Sequence, residues 1–421
     1  MKGLLRLACT LWLLSSTPGG AERLLVPMDL TQQQHLKAYG LAFWVLDRGI
    51  DVEWLLNYRG GSFAFEAHDL IAREARIRGV TVHTISEADM ARIYSEIEGA
   101  NMDVVRLEKA PRIAVYTPPN KQPWDDAVTL ALEFAGIDYE KLWDEEVLAG
   151  RLQDFDWLHL HHEDFTGQYG KFWASFRNEA WYRGQQRLYE AQARSLGFAK
   201  VSEQKKAVAR RIREYVAGGG FLFAMCSATD TFDIALASDG VDLAHSVFDG
   251  DGIDPDGQGR LDYSRCVAFE DFTVVTDPIV YEHSDIDTTP RDARLIRTPE
   301  AEYFTLFEFS ARHDPVPTML TQCHTSVVDG FLGQTTAFRR HLIKDHVVVL
   351  AEVEGTDIVK YIHGQVGRGT VTFYGGHDPE DHKHHVGDPP TQLSLHPTSP
   401  GYRLILNNVL FPAARKKQRK T

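Results

Sequence analysis

Short apolar runs alternate with helix-length segments through most of this sequence, and that alternation restricts the fold more than any other feature. LLVPMD (24–29) precedes the helical pattern QQQHLKAYGLAFWVLDRG, which Gly49 closes. DVEWLLNY (51–58) reads as a second strand, RGGSF (59–63) as a loop, and a helix over 66–78 leads into VTVHTI (80–85). The pattern restarts at IAVYTP (113–118), followed by the helix AVTLALEFAGI and the strand WLHLHH (157–162). SEQKKAVARRIREYVAGGG repeats Val208, Ile212 and Val216 on one helical face, and FLFAMC enters a sharp bend. TVTFYGGHDPE (370–380) is a late strand and YRLILNNVLF (402–411) a closing helix. Strands alternating with helices form βαβ units around a parallel sheet. The expectation is an α/β chain with an N-terminal βαβ segment over 22–108 and a larger domain over 109–412. The runs VAFEDFTVVTD and AEYFTLFEF predict a β-rich insertion at about 240–330.

The ends read differently. Lys2 and Arg6 precede the apolar LACTLWLL (7–14) and the small-residue stretch STPGGA (16–21). Residues 1–21 therefore read as a secretory signal peptide, which predicts an exported protein, periplasmic or secreted. Residues 413–421 form a basic tail. No later run reaches the roughly 18 apolar residues of a membrane helix, so no integral membrane segment is expected. The formal net charge of −14 argues against nucleic acid and anionic membrane surfaces as partners. Beyond the leader the cysteines are Cys226, Cys266 and Cys323. An odd number leaves at least one free thiol, so this is no disulfide scaffold.

GGGFLFAMCSATD (218–230) carries the sharpest chemical signal. A strand that runs straight into a helix can expose a nucleophile at the bend. Ala224 and Ala228 supply the small neighbours, and the helix N-terminus favours thiolate at Cys226. The Ser227 N–H is a natural oxyanion donor. A base must come from another strand end, and TVTFYGGHDPE offers His377 with Asp378 and Glu380. Against this stands the frequency with which free cysteine is simply buried.

The order of these elements resembles the class I glutamine amidotransferase-like superfamily, which has a flavodoxin-like sheet. Its nucleophile lies in Gly-x-Cys-x-Gly and its triad closes with His-Pro-Glu. The resemblance covers roughly residues 111–412. It implies Cys226 as nucleophile, His377 as base and Glu380 as orienter. Here alanines replace both elbow glycines, and Asp378 intervenes before Pro379, so Asp378 is an alternative orienter. Trehalose-utilization proteins of the same superfamily also close with a segment resembling GYRLILNNVLF. Over the whole chain, LKAYGLAFWVL, NYRGGSF, PWDDAVTLALEFAGI and LHLHHEDFTGQYGKF look like an exported bacterial family often catalogued as asparagine synthetase B. The motifs of a glutamine-hydrolysing synthetase are absent: position 2 is Lys2, and GGSF (60–63) is only a fragment of the pyrophosphate loop. The implied activity is a Cys-dependent amide or ester hydrolase that requires no cofactor.

Two histidine clusters support a second reading. LHLHHED (158–164) places His159 and His161 on one strand face, and HDPEDHKHHVGD (377–388) adds His382, His384 and His385. Imidazole with carboxylate suits zinc, iron or nickel, so His159, His161, His382 and His384 are candidate ligands for a divalent metal. Neither segment has a metalloprotease-type spacing. A third reading is a non-catalytic binding module. Tyr169, Phe172, Trp173, Phe176, Trp181 and Tyr182 follow the histidine strand and could stack on a carbohydrate or line a small-molecule pocket. Lys121, Arg59 and Arg177 could meet an anion. DGDGIDPDGQGRLD lacks the final Glu of a calcium loop and has Arg265 there, so it reads as a surface turn. Nothing in the sequence sets an oligomeric state.

Overall fold

The computed structural model describes residues 22–288, 298 and 301–414. The leader-like segment 1–21 and tail residues 415–421 lie outside them. The chain is mixed α/β, with one five-stranded and one ten-stranded sheet among the described residues.

The N-terminal sheet contains β1 (Arg23–Val26), β2 (Val52–Leu56), β3 (Ser62–Glu66), β4 (His83–Ile85) and β5 (Asp103–Leu107). Its order is β4-β1-β3-β2-β5, with every neighbouring pair antiparallel. This corrects the parallel arrangement expected for 22–108. Helices His35–Asp47 and Asp69–Arg78 do return the chain to its original direction, but each time one strand separates the two partners. These are split βαβ units. β5 went unread in the sequence, and so did β3, hidden in RGGSF. The turn before it uses left-handed residues Asn57 and Arg59, and Gly60 at φ +76°. A Cβ on Gly60 would lie 2.4 Å from Met28 O, so the turn packs where no side chain fits.

The large sheet contains β6 (Ile113–Tyr116), β7 (Glu140–Leu142), β8 (Trp157–Leu160) and β9 (Phe221–Met225). It continues with β10 (Tyr303–Leu306), β11 (Val327–Asp329), β12 (Phe338–Arg339), β13 (Val348–Glu352), β14 (Ile358–Val366) and β15 (Gly369–Tyr374). The order is β11-β10-β13-β14-β15-β9-β8-β6-β7, and β12 pairs with β14. β7, β6, β8, β9 and β15 run parallel. β10 to β14 pair antiparallel. β6 and β8 are buried throughout, as expected of parallel strands covered on both faces. Helices His35–Asp47, Ala127–Ala135 and Pro400–Leu410 pack on one another over one face. Helices Val201–Ala217 and Ala228–Ala237 cover the other. The N-terminal sheet shares the first of these cores, with Trp54 and Phe63 in one cluster with Trp157 and Tyr402.

Among its described residues the 240–330 segment carries less sheet than expected. AEYFTLFEF supplies β10, but VAFEDFTVVTD contributes only isolated bridges, Phe269 with Ile343 and Val274 with Ser284. Part of the reason is Asp233, whose carboxylate accepts the amides of Val267, Ala268 and Phe269 at 2.8 Å each. Three consecutive amides held by one side chain cannot join a ladder. In the expected turn, Arg265 pairs with Asp239 and Asp262. Among the described residues no helix is long and apolar enough to cross a membrane.

Candidate functional site

The site forms where two neighbouring parallel strands end. β9 ends at Met225 and β15 at Tyr374, and these two residues are in register. Cys226 follows at once with φ +54°, a conformation costly for a residue with a Cβ. Ala224 and Ala228 flank it, both fully buried. The bend is pinned from both sides. The Cys226 N–H donates to Gly376 O at 3.1 Å, and Thr229 N–H and Oγ1–H both donate to Cys226 O. The ten-residue helix Ala228–Ala237 then begins, with its positive end toward the sulfur.

Across the bend, Gly375 and Gly376 carry the chain from β15 to His377. Gly376 sits at φ +96°, and a Cβ there would stand 2.5 Å from the Phe331 ring. The turn brings His377 to the thiol: ligand atoms of His162, Cys226 and His377 lie within 4.8 Å of one another. The Gln334 N–H donates to Cys226 Sγ at 3.3 Å. Asp125 enters from just ahead of helix Ala127–Ala135. Its Oδ1 lies 3.8 Å from His377 Nε2, an ion-pair rather than a hydrogen-bond distance, and 3.1 Å from His384 Nε2.

Three imidazoles form a stack. His162 and His377 have ring centroids 4.1 Å apart at 17°, and His377 and His384 4.1 Å apart at 9°. Burial pushes the middle ring toward neutrality, but Asp125 and Cys226 outweigh it and raise His377 to about 10. Burial and the positive neighbour His377 hold His162 well below its usual value. Burial would raise Asp125, yet His377 and His384 keep it below the usual carboxylate range. The arrangement is an imidazolium beside a thiol, with a carboxylate behind it.

Several expected partners lie elsewhere. Glu380 pairs with His396 Nδ1 at 2.8 Å and does not orient His377. Asp378 accepts the Glu380 N–H at 2.8 Å. The extra residue before Pro379 turns both side chains away, and burial raises both carboxyls. Asp125, which in the sequence stands only within PWDDAVTLALEFAGI, is the carboxylate paired with His377. Ser227 Oγ–H donates to His162 O at 3.1 Å, which supports the stack from below. The sequence also marked His162 without assigning it a place; it takes φ +36° to reach the stack.

The four expected metal ligands do not meet. His159 is fully buried, with Nε2 2.8 Å from Asp126 Oδ2 and Nδ1 3.1 Å from Phe223 O. His382 turns to Gly330 O and Glu302, and His384 to Asp125 and Asp381. Only His161 shares Asp126 with His159. Other groups that could hold an ion do form: Asp126 with His161 and His162, and Asp125 with His377 and His384. His161 Nδ1, both His162 nitrogens, His377 Nε2 and His384 Nε2 are buried without hydrogen-bond partners. Parallel stacked rings point their lone pairs side by side, so one ion cannot lie in the planes of both. His161 and His162 cross at 74°, which lets theirs converge.

A cleft of about 420 Å³ opens over Cys226, with Trp124, Phe176 and Tyr281 among its walls. Trp124, Phe172 and Trp181 pack into one aromatic group. A second cavity, about 520 Å³, lies between Asp29, Asn57, Cys323 and His324. The third thiol, Cys266, is buried, and burial with Asp233 nearby pushes it well up.

No family model and no curated protein matches this chain. Among solved structures it is similar to Cytoplasmic Protein STM3548 from Salmonella typhimurium, at 13% identity and TM-score 0.35, covering 73% of this chain and 100% of that one. It is also similar to Cytoplasmic Protein STM1381 from Salmonella typhimurium LT2, at 14% identity and TM-score 0.34, covering 72% and 100%. Likenesses at these scores carry no argument about function.

Proposed function

We propose that the chain is a thiol hydrolase of amides or esters on a class I glutamine amidotransferase-like, flavodoxin-like frame. The five parallel strands support the frame, because their spatial order is second, first, third, fourth, fifth by chain position. The observation that carries the activity is the pairing of Cys226, strained at positive φ, with a His377 imidazolium backed by Asp125. The helix-start amides of Ser227 and its neighbours add an oxyanion role. The leader-like segment 1–21 supports action outside the cytoplasm.

In this reading the Cys226 thiolate attacks the substrate carbonyl carbon and the C=O electron pair moves to oxygen. The oxyanion collapses as His377 gives its proton to the departing amine or alcohol, leaving a thioester. Water then attacks, His377 takes its proton, and the acid leaves as the thiolate re-forms. Asp125 stabilises the charge on His377 whenever the ring holds the proton, before acylation and again after water has attacked.

Iodoacetamide labelling at pH 6 tests this. The expected result is a Cys226 rate above that of a model thiol, with p-nitrophenyl acetate hydrolysis lost in Cys226→Ala. A rate at or below the model thiol would sink the proposal.

The unpartnered His162 Nε2, which faces Asp126, favours a second reading, a divalent metal held by Asp126, His161 and His162. The Nε2 atoms of the two histidines lie 3.8 and 3.5 Å from Asp126 Oδ2. Burial keeps His161 neutral, at about 4, the form that binds metal. Near-stoichiometric zinc, iron or nickel after tag-free purification, lost in His161→Ala, would establish it; a metal-free protein with full Cys226 reactivity would exclude it.

A further inference from the structure

The cleft over Cys226 has a charge bias opposite to that of the molecule. The chain carries 59 acidic and 45 basic residues. Of the residues lining the cleft, none is Asp or Glu, one is lysine (Lys383) and four are histidines. The carboxylate of Asp125 stands behind the rings and is engaged by His377 and His384. The acids on the loop that bears Lys383 also turn aside. Asp381 takes His384 Nδ1 at 3.0 Å, and Asp388 accepts the His385 N–H at 2.8 Å. Lys383 itself is exposed and pairs with no carboxylate among the described residues.

A second observation points to a ligand in the same place. Trp124 lines the cleft, and its indole Nε1–H is buried with no acceptor. A buried donor without a partner is costly unless something fills the position. A cation and an unfilled donor on the walls of a cleft without carboxylates make an anion receptor. The two arginines marked in the sequence do not take part. Arg59 is held by Asp29 Oδ2 at 2.6 Å, and neither it nor Arg177 lines the cleft.

We infer that the substrate of this thiol carries an anionic group, a carboxylate or its equivalent, beyond the scissile carbonyl. Lys383 and the Trp124 indole N–H receive that group. The inference rests on the thiol-hydrolase reading for what happens to the carbonyl, but the anion site stands on its own lining. A neutral group of the same size would leave the lysine unneutralised and the indole unmatched.

Two measurements test it. Binding of glutarate and of neutral glutaramide is followed by tryptophan fluorescence in the full-length Cys226→Ala protein, where thiol chemistry plays no part. The expected result is a preference for glutarate of about tenfold at low salt, which falls toward unity in Lys383→Met and weakens as salt rises. Equal affinities, or no glutarate binding, would overturn the inference. Trp124→Phe, followed by titration calorimetry, should weaken glutarate more than glutaramide; an equal loss would remove the indole from the anion site. In the wild-type protein, iodoacetate and iodoacetamide are compared at Cys226. Relative to free cysteine, the site should favour the anionic reagent, and Lys383→Met should remove the bias. If Cys226 reacts with neither reagent, the hydrolase reading falls while the glutarate measurement still decides the anion site.

Discussion

The molecule holds two thiol–imidazole neighbourhoods, each beside a cavity, and they are built in opposite senses. At Cys226 the histidine arrives from another strand, is backed by Asp125, and is raised to about 10 against the pull of burial. At Cys323 the histidine is its chain neighbour, His324, with Nδ1 3.9 Å from the sulfur. There burial and the Arg403 guanidinium hold His324 down to about 4. Arg403 is fully buried, and its Nη1 lies 3.2 Å from His324 Nδ1, which must therefore accept. His324 also stacks on His35, at 4.3 Å and 8°. One stack carries an imidazolium backed by a carboxylate; the other is neutral and faces a permanent cation. The two stacks thus differ in the sign of the charge behind them, and the proposed hydrolase reading rests on that difference.

The largest expected effect comes from removing that charge. Asp125→Asn should lower Cys226-dependent hydrolysis by about 10²–10⁴ and slow alkylation at pH 6, measured by steady-state kinetics and mass spectrometry. If the rate is unchanged, the two neighbourhoods do not differ for the reason given. Next is Arg403→Met. It leaves Gly60 O without its donor and Met28 O with only His35 Nε2, and should cost about 2–4 kcal/mol in urea unfolding, while His324 titrates closer to its ordinary value by NMR.

A smaller effect is the pH dependence of stability. His377 is raised in the folded chain, so its contribution is fully present below its unfolded value of about 6.5 and is lost as pH rises toward 10. The urea midpoint should fall across that window, and Asp125→Asn should flatten the fall; an unchanged slope would remove Asp125 as the partner. The smallest effect belongs to the second thiol. Cys323→Ser should leave labelling of Cys226 unchanged within about twofold, and a large loss would mean that the two cavities communicate.

Much of the frame was legible. The helices from Ala127, Val201 and Pro400 and strands β6, β8, β9 and β15 follow their hydrophobic periods closely. What escaped was pairing. β3 is five residues behind a left-handed turn, and β13 and β14, in DHVVVLAEV and IVKYIHGQV, form the hairpin that leads into β15. Antiparallel partners for a strand lie anywhere in the chain, and local pattern does not name them. The site divided the same way. Cys226 and His377 stood out because a bend and a strand end have local signatures. Asp125 and His162 carried no such signature, because their roles arise only where elements far apart in the chain meet.

From the chain alone came the parallel core, the thiol at its bend and the imidazole that could reach it, since each depends on short-range periodicity and turn chemistry. The folded structure decided which carboxylate stands behind that imidazole, which histidines stack on it and which walls face the sulfur. Those are questions of charge and burial across the gap between strands, and Coulomb forces in a dry interior depend on distances that no local run of residues encodes.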